Sequence, residues 1–296
     1  MHPNASRLKR TAVRLNAEEP LWLKAILIVS AVLITTWIII VPVVYVFVQA
    51  MSEGWEALRA NLLDDEDTLH AIWLTFTVAP IAVMVNTLCG IAAAWCLTKF
   101  QFPGRTLLIT MLDLPFAVSP VVAGLCFVLI FGLQGYLGEF LRDHGMKIIF
   151  AWPGLVLATT FVTIPFVARE LIPLMQALGS DEELAAVSLG ASPWQMFWRV
   201  TLPNIKWALL FGMIQCNARA IGEFGAVYVV SGHIAGESDT MPLRVEKLYQ
   251  EYNNPGAFAV AAVLTLIALA TLVLKLILEY WSQRSVNAAT TEGATP

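Results

Sequence analysis

A polar interruption in an otherwise apolar chain reads SDEELAAVSLGASPWQMFWRVTLP and covers residues 180–203. Ser180 and Glu183 stand three residues apart, the spacing of a capping box, which predicts that a helix begins after the serine. Gly190 has no Cβ and therefore suits the left-handed position that ends many helices. The first half of the stretch thus predicts one short helix closed by a glycine.

A second helix is expected directly after this glycine. Ser192 and Gln195 repeat the capping-box spacing, and Pro193 occupies the favoured first helical position. Pro203 lacks an amide hydrogen, so it is expected to break the second helix. The whole stretch predicts a helix–glycine turn–helix hairpin between two apolar segments.

Small residues make one part of this hairpin easy to approach. Ala185, Ala186, Gly190 and Ala191 would let the surface of another protein come close to the backbone. The sequence leaves two interpretations open here: a docking site for a partner, or an amphipathic surface hairpin without one.

The composition of the 296 residues indicates a membrane protein. Hydrophobic residues make up 58% and charged residues 14%, and the mean hydropathy is +0.70. Soluble domains average about 45–50% apolar and about 25% charged, so a bilayer has to cover the apolar excess. The net charge of −4 gives no basic patch, and nucleic acid is not expected as a partner.

Six apolar stretches are long enough to cross a bilayer, which takes about 20 helical residues. Each is free of charged residues apart from Asp113 in the third and Arg219 and Glu223 in the fifth. Pro115 and Pro120 are expected to kink the third helix. The stretches cover residues 25–52, 68–98, 106–138, 148–168, 207–236 and 252–274. We therefore expect an all-α polytopic membrane protein with six transmembrane helices. The first stretch is too long for the apolar core of a cleavable signal peptide.

The distribution of lysine and arginine predicts the orientation. Twelve of the 18 basic residues fall in the tails and loops on one side, and five fall on the other. The richer side is expected to be cytoplasmic, which places both termini there. The predicted segments are a cytoplasmic tail over 1–24, a first transmembrane helix over 25–50, a transmembrane domain over 68–280 with a cytoplasmic loop at 174–205, and a cytoplasmic tail over 281–296.

Polar residues within the predicted spans are candidates for a functional site, because each charge there costs about 2.5–3.5 kcal/mol. Arg219 and Glu223 are four residues apart and share a helix face, and Asn217 is close by. This face either lines a path for an anion or locks helices together through an ion pair. Asp113 either belongs to the same path or simply reaches the membrane interface.

Neither catalysis nor metal binding is expected of this chain. The four cysteines lie in apolar stretches without a C-x-x-C pair, and the four histidines are scattered in or near the loops and tails. The sequence contains no Walker pattern G-x-x-x-x-G-K-[ST], so any ATP chemistry would have to come from a partner. We therefore nominate no catalytic residue and no metal ligand.

The hairpin resembles the characteristic loop of the binding-protein-dependent ABC permease family. That family has Glu-Ala-Ala, then a glycine, then nine residues, then Ile-x-Leu-Pro. Here nine residues separate Gly190 from Val200, which opens the sequence Val-Thr-Leu-Pro. One departure is that Leu184 stands where the family has its glutamate, and Glu183 is the nearest acidic residue.

Further similarity, to the sulfate and molybdate permeases of this family, extends over about residues 67–280. NARAIGEFGA, residues 217–226, resembles the fifth-span signature of that group, and DLPFAVSPVVAG, residues 113–124, resembles its third span. The resemblance implies a type I ABC importer permease fold and transport of sulfate or thiosulfate across the inner membrane. Molybdate or another oxyanion is the alternative cargo.

The resemblance also implies partners. The chain would form a heterodimer with a homologous permease, two copies of an ATPase would carry ATP and Mg, and a soluble sulfate-binding protein would dock outside. The chain itself would then be no enzyme and would bind no cofactor. The residues expected to couple it to the ATPase are Glu183, Ala185, Ala186, Gly190, Ala191, Ser192, Leu202 and Pro203.

Two other classes of function fit the sequence less well. A secondary transporter driven by protons or sodium needs no docking hairpin and often has inverted repeats, of which no clear sign is visible. An intramembrane enzyme needs a nucleophile with its base, or a metal cluster, at membrane depth. No histidine lies deep in a predicted span, which disfavours the enzyme.

Overall fold

The computed structural model describes the backbone of residues 21–292 and the side chains of residues 22–281. Every regular element within these residues is a helix, which confirms the predicted all-α class. Most of the predicted tail over 1–24, and the side chains of residues 282–296, lie outside the described residues. The helices are α1 (Leu21–Ala50), α2 (Gly54–Arg59), α3 (Glu66–Lys99), α4 (Arg105–Ala117), α5 (Pro120–Phe131), α6 (Gly138–Asp143), α7 (Trp152–Leu178), α8 (Asp181–Ser188), α9 (Pro193–Met196), α10 (Leu202–Ile221), α11 (Gly225–Ser231), α12 (Met241–Gln250) and α13 (Asn254–Glu292), with π-helical turns at Ala60–Asp64 and Phe197–Thr201.

The chain forms two units, Met1–Val48 and Gln49–Pro296. The first unit is described through α1, an apolar helix of 30 residues with Pro42 inside it. At about 1.5 Å per residue this helix is about 45 Å long, which is enough to cross a bilayer. It contains the stretch predicted as the first transmembrane helix, 25–50.

Four of the described helices, α1, α3, α7 and α13, are each long and apolar enough to cross a membrane. The predicted third span, 106–138, is a bent pair of helices, because α4 and α5 meet at 108°, which confirms the kink predicted at Pro120. Val118 and Ser119 adopt non-helical conformations directly before Pro120, whose ring disfavours a helical residue in front of it. Counting this pair as one span gives five such helices in the described part of the chain, against six predicted.

The predicted fifth span, 207–236, is also divided. Helix α10 ends at Ile221 and α11 begins at Gly225. The residues between them include Glu223, whose carboxylate accepts a hydrogen bond from the Ala226 amide at 3.0 Å and so binds the start of α11. The break therefore replaces helical hydrogen bonds with a side-chain contact.

The expected helix break at Pro203 is wrong. Helix α9, the π-helical turn and α10 follow one another without an intervening loop. In the turn, the Leu202 amide donates to the Phe197 carbonyl five residues back. Pro203 then falls in the first turn of α10, a position where its missing amide hydrogen is tolerated.

Helix α7 is central to the second unit and packs against both α3 and α10. Gly90 of α3 and Gly212 of α10 both lie against Val167 of α7. A Cβ added at Gly90 would come within 2.8 Å of the Val167 Cβ, so only glycine allows this approach. The surrounding core contains Val83, Ala94, Val167, Leu171, Met175, Ile205 and Cys216.

Candidate functional site

The hairpin predicted from the sequence is present between α7 and α10, and the two helices cover the ends of the predicted loop 174–205. Its turn is built on Gly190, whose φ is +89°. The Gly190 amide donates to the Val187 carbonyl at 2.9 Å, and the Ala191 amide donates to the Ala186 carbonyl at 3.0 Å. These two bonds form a Schellman motif, which confirms the predicted glycine end of the first helix.

One of the two predicted capping boxes is confirmed. The Ser192 hydroxyl accepts from the Gln195 amide at 3.3 Å, and the Gln195 side chain accepts from the Ser192 amide at 3.0 Å. The other box is wrong: α8 does begin after Ser180, but the Ser180 side chain makes no cap hydrogen bond. The Glu183 carboxylate does not reach back to the start of its own helix because it is bound to residues of other elements.

Those residues are Lys99 and Thr201. The Lys99 ammonium lies 2.7 Å from one Glu183 oxygen, and the Thr201 hydroxyl donates to the other at 2.8 Å. The Lys99 and Glu183 side chains are only 10% and 14% exposed. The ammonium also donates to the Gly179 carbonyl at 2.6 Å and to the Ser180 hydroxyl at 3.4 Å. Glu183 therefore faces the body of the protein.

The outer surface of the hairpin is apolar. Leu184, Val187 and Leu189 are all exposed, Leu189 to 89%. A Cβ added at Gly190 would meet no atom within 4 Å, so the turn is open to an approaching surface. The other residues nominated for coupling are exposed or half-buried, namely Ala185, Ala186, Ala191, Ser192, Leu202 and Pro203.

Each charged residue of the predicted spans belongs to one of two ion pairs on different elements. Arg219 and Glu223 pair within one chain segment at 2.5 Å, with Glu223 buried (1% exposed) and Arg219 36% exposed. Asp113 on α4 pairs with Arg169 on α7, whose Nη2 and Nε lie 2.7 and 3.0 Å from one carboxylate oxygen. The Arg169 guanidinium, directly after the predicted fourth span 148–168, also lies 4.2 Å from the centre of the Phe116 ring.

Asn217 lies apart from both pairs. It is half-buried and lines an apolar groove with residues of α3, α10 and α13, among them Met84, Leu210 and Leu274. The structure therefore brings Arg219 and Glu223 together as predicted, gives Asp113 an unforeseen partner, and leaves Asn217 outside both.

Sequence reasoning missed a buried polar cluster on α3. Asn86 donates to the Thr163 hydroxyl at 2.7 Å and to the Thr160 carbonyl at 3.2 Å, and lies 3.6 Å from the Cys216 sulfur. An asparagine in an apolar run was the available signal. In the described residues no group of three or more His, Cys, Asp or Glu side chains is arranged to hold a metal ion.

The sequence is similar to those of proteins named for transport. The family described as binding-protein-dependent transport system inner membrane component matches residues 86–286. The sulfate transport system permease protein CysW of Escherichia coli (strain K12) is 57% identical over 259 residues, covering 88% of this chain and 89% of that protein. The sulfate transport system permease protein CysT of the same strain is 35% identical over 243 residues, covering 82% and 87%.

The fold is similar to that of solved ABC importers. A bacterial ABC transporter involved in the import of the acidic polysaccharide alginate matches with a TM-score of 0.72 and 18% identity, covering 89% of this chain and 96% of that one. A bacterial alginate ABC transporter in complex with an alginate pentasaccharide-bound periplasmic protein matches with a TM-score of 0.71, covering 89% and 94%. At this low identity the similarity shows the fold alone, which is that of an ABC importer permease.

Proposed function

The chain belongs to the family of binding-protein-dependent transport system inner membrane components, and from this premise we propose that it is the permease subunit of an ATP-driven sulfate and thiosulfate importer. The cargo is proposed from the similarity to a permease protein named for sulfate transport, at 57% identity. The multi-pass arrangement of its apolar helices fits an inner membrane component. Both termini are proposed to be cytoplasmic, from the distribution of basic residues.

The observation that carries the proposal is the two-sided character of the hairpin. Its inner side is tied to the body of the protein through Glu183, and its outer side exposes large apolar residues next to an open glycine turn. Apolar patches that stay exposed on a polar loop are typical of surfaces that bind another protein. We assign this outer side to the ATPase subunit.

The proposed complex has four further subunits. A permease similar to the CysT protein forms the second half of the membrane domain, and two ATPase subunits carry ATP and Mg under the hairpins. A soluble sulfate-binding protein delivers the anion from the other side. The chain itself catalyses no reaction, which agrees with a sequence that has no Walker pattern.

The proposed mechanism is alternating access. ATP closes the two ATPase subunits, which move the docked hairpins, and the helices rock so that the cavity opens outward to receive the dianion. Hydrolysis then resets the helices. The interaction free energy between hairpin and ATPase has to differ between the two states, since otherwise ATP could not shift the equilibrium.

The Arg219–Glu223 pair is proposed to hold the break between α10 and α11 rather than to carry the anion. The buried Glu223 carboxylate binds the Arg219 guanidinium on one side of the break and the Ala226 amide on the other. Its negative charge also offsets the positive charge that would attract sulfate. Asp113 offsets Arg169 in the same way.

Purification of the tagged chain from its native membrane tests the proposal. We expect a second permease and a P-loop ATPase to purify with it, and the reconstituted complex to import labelled sulfate only when ATP is present. A chain that purifies without an ATPase, or uptake that persists without ATP while an ion gradient is intact, would contradict the proposal. The decrease in sulfate uptake caused by an equal concentration of molybdate shows whether molybdate is an alternative cargo.

A further inference from the structure

We propose that Lys99 is a positioning residue that transmits the movement of the hairpin to helix α3. The inference rests on the proposed function, because it assumes that an ATPase moves the hairpin. It concerns a different question, namely which transmembrane helix receives the motion and through which contact.

The covalent connections of α8 are poorly suited to transmit force. At its start α8 joins α7 through Gly179, whose φ is +69°, and at its end it joins α9 through Gly190, whose φ is +89°. Glycine has little torsional restraint, so the junction at Gly179 can bend, whereas the Gly190 turn is closed by its two hydrogen bonds. Movement of α8 therefore reaches α7 and α3 mainly through non-covalent contacts.

Helices α10 and α3 receive that movement in different ways. Helix α10 follows α9 and the π-helical turn without a loop, so it is pulled directly by the second half of the hairpin. Helix α3 has no chain connection to the hairpin and ends at Lys99. Within the described residues, the salt bridge between Lys99 and Glu183 joins α3 to the hairpin.

This contact has the character of a fixed joint. All three polar contacts of the Lys99 ammonium go to residues at the start of α8: the Gly179 carbonyl, the Ser180 hydroxyl and the Glu183 carboxylate. The other Glu183 oxygen accepts from Thr201, a residue that is 3% exposed. Neighbouring Glu182 also accepts a hydrogen bond from Asn204 of α10.

These contacts therefore bring together the end of α3, the link between α7 and α8, the start of α8, and the π-helical turn Phe197–Thr201. Because Lys99 and Glu183 are largely removed from water, their attraction is screened less than that of a surface pair. We infer that α3 moves with the hairpin while the pair is intact and lags behind the hairpin when it is not.

The test uses the whole reconstituted complex in liposomes and measures sulfate imported per ATP hydrolysed. We expect Lys99→Met to lower this ratio by about fivefold or more, the lower end of ordinary coupling between sites, while ATP hydrolysis continues. The exchanged pair Lys99→Glu with Glu183→Lys should recover at least part of the ratio. Lys206→Met is the matched control, because Lys206 is an exposed lysine on α10 whose ammonium lies over the Trp207 ring.

Three results would overturn the inference: an unchanged ratio in Lys99→Met, an equal loss in Lys206→Met, or a Lys99→Met chain that fails to reach the membrane and is not recovered by the exchanged pair. Failure of the proposed function is a separate result. It would appear in the unaltered complex, as absence of the ATPase or as hydrolysis without sulfate import.

Discussion

The guanidinium of Arg244 lies 2.6 Å from the Asp65 carboxylate, which ties helix α12 to the start of α3. The Arg244 side chain is 7% exposed, and it also reaches the Thr68 hydroxyl at 3.2 Å and the Asp67 carboxylate at 3.6 Å. Asp65 in turn caps α3 by accepting from the Asp67 amide at 3.3 Å. One arginine thus holds both a helix terminus and a neighbouring helix.

We expect Arg244→Met to lower the free energy of unfolding by about 1–3 kcal/mol, because it removes hydrogen bonds to charged groups and leaves Asp65 partly buried without its partner. Thermal unfolding of the purified chain in detergent measures this. Lys147→Met is the control, since the Lys147–Glu237 pair is exposed and 3.7 Å apart and should contribute little. Equal effects of the two substitutions would contradict the structural role of Arg244.

The same pair predicts a dependence on pH. Burial alone would raise the pKa of Asp65, but hydrogen bonds from Thr68 and Arg244 and the charge of Arg244 outweigh it and hold this pKa below its ordinary value of 3.8. A carboxyl with a lowered pKa in the folded state stabilises the fold above the ordinary value, and this contribution is lost as the pH falls through the folded-state pKa.

We therefore expect the unfolding temperature to fall more steeply below about pH 4 in the unaltered chain than in Asp65→Asn, which starts lower and changes less. Asp64→Asn is the control, because Asp64 is an exposed neighbour. If Asp65→Asn and the unaltered chain lose stability in parallel below this pH, the lowered pKa is not the cause.

Local sequence patterns predicted the hairpin well because its signals are local. Gly190 at the helix end and the Ser192–Gln195 box depend on residues a few positions apart. The predicted Ser180–Glu183 box failed although its spacing is correct. Glu183 forms a salt bridge with Lys99 instead. Lys99 lies 84 positions earlier in the chain, and a local pattern cannot predict such a contact.

The six predicted spans are compatible with the fold, but the sequence did not show which of them are interrupted, for a related reason. A run of apolar residues shows that a segment is long enough to cross a bilayer but not whether it stays straight. The 108° bend at Pro120, where a kink was predicted, and the break around Glu223, which no pattern indicated, both occur inside such runs. Partners such as Arg169 for Asp113 and Asp65 for Arg244 were likewise beyond reach, because each pair joins helices distant in sequence.

A bulky side chain at the hairpin turn should impair coupling without impairing folding. We expect Gly190→Trp to insert normally and to lose most ATP-driven uptake, because its side chain points into open space where the ATPase is proposed to dock. Gly54→Trp is a matched control: its φ is +88° against +89° for Gly190, and it too has open space at its Cβ.

Both substitutions place a side chain in the left-handed region and should lower the free energy of unfolding by a similar amount, about 1 kcal/mol. Sulfate uptake and co-purification of the ATPase are measured for each. Normal uptake by Gly190→Trp would contradict docking at this turn, and an equal loss in Gly54→Trp would trace the defect to backbone strain.

Substitutions in the Arg219–Glu223 pair can distinguish an ion pair that locks helices together from a face that lines a path for the anion. Arg219→Met leaves the Glu223 carboxylate buried with the Ala226 amide as its remaining hydrogen-bond partner. Removing one partner of a buried pair costs about 3–5 kcal/mol, and the partial exposure of Arg219 places the expected loss of unfolding free energy at about 3 kcal/mol, the low end of this range. Thermal unfolding in detergent should show this loss clearly.

The double substitution Arg219→Met with Glu223→Gln removes both charges and keeps a side-chain oxygen that can accept from Ala226. We expect it to recover stability and, because the pair is proposed to act as a lock across the break, to recover sulfate uptake as well. A stable double variant that no longer transports would show that the arginine itself meets the anion. The double substitution Asp113→Asn with Arg169→Met removes the other ion pair, between α4 and α7, and its stability and sulfate uptake are measured for comparison.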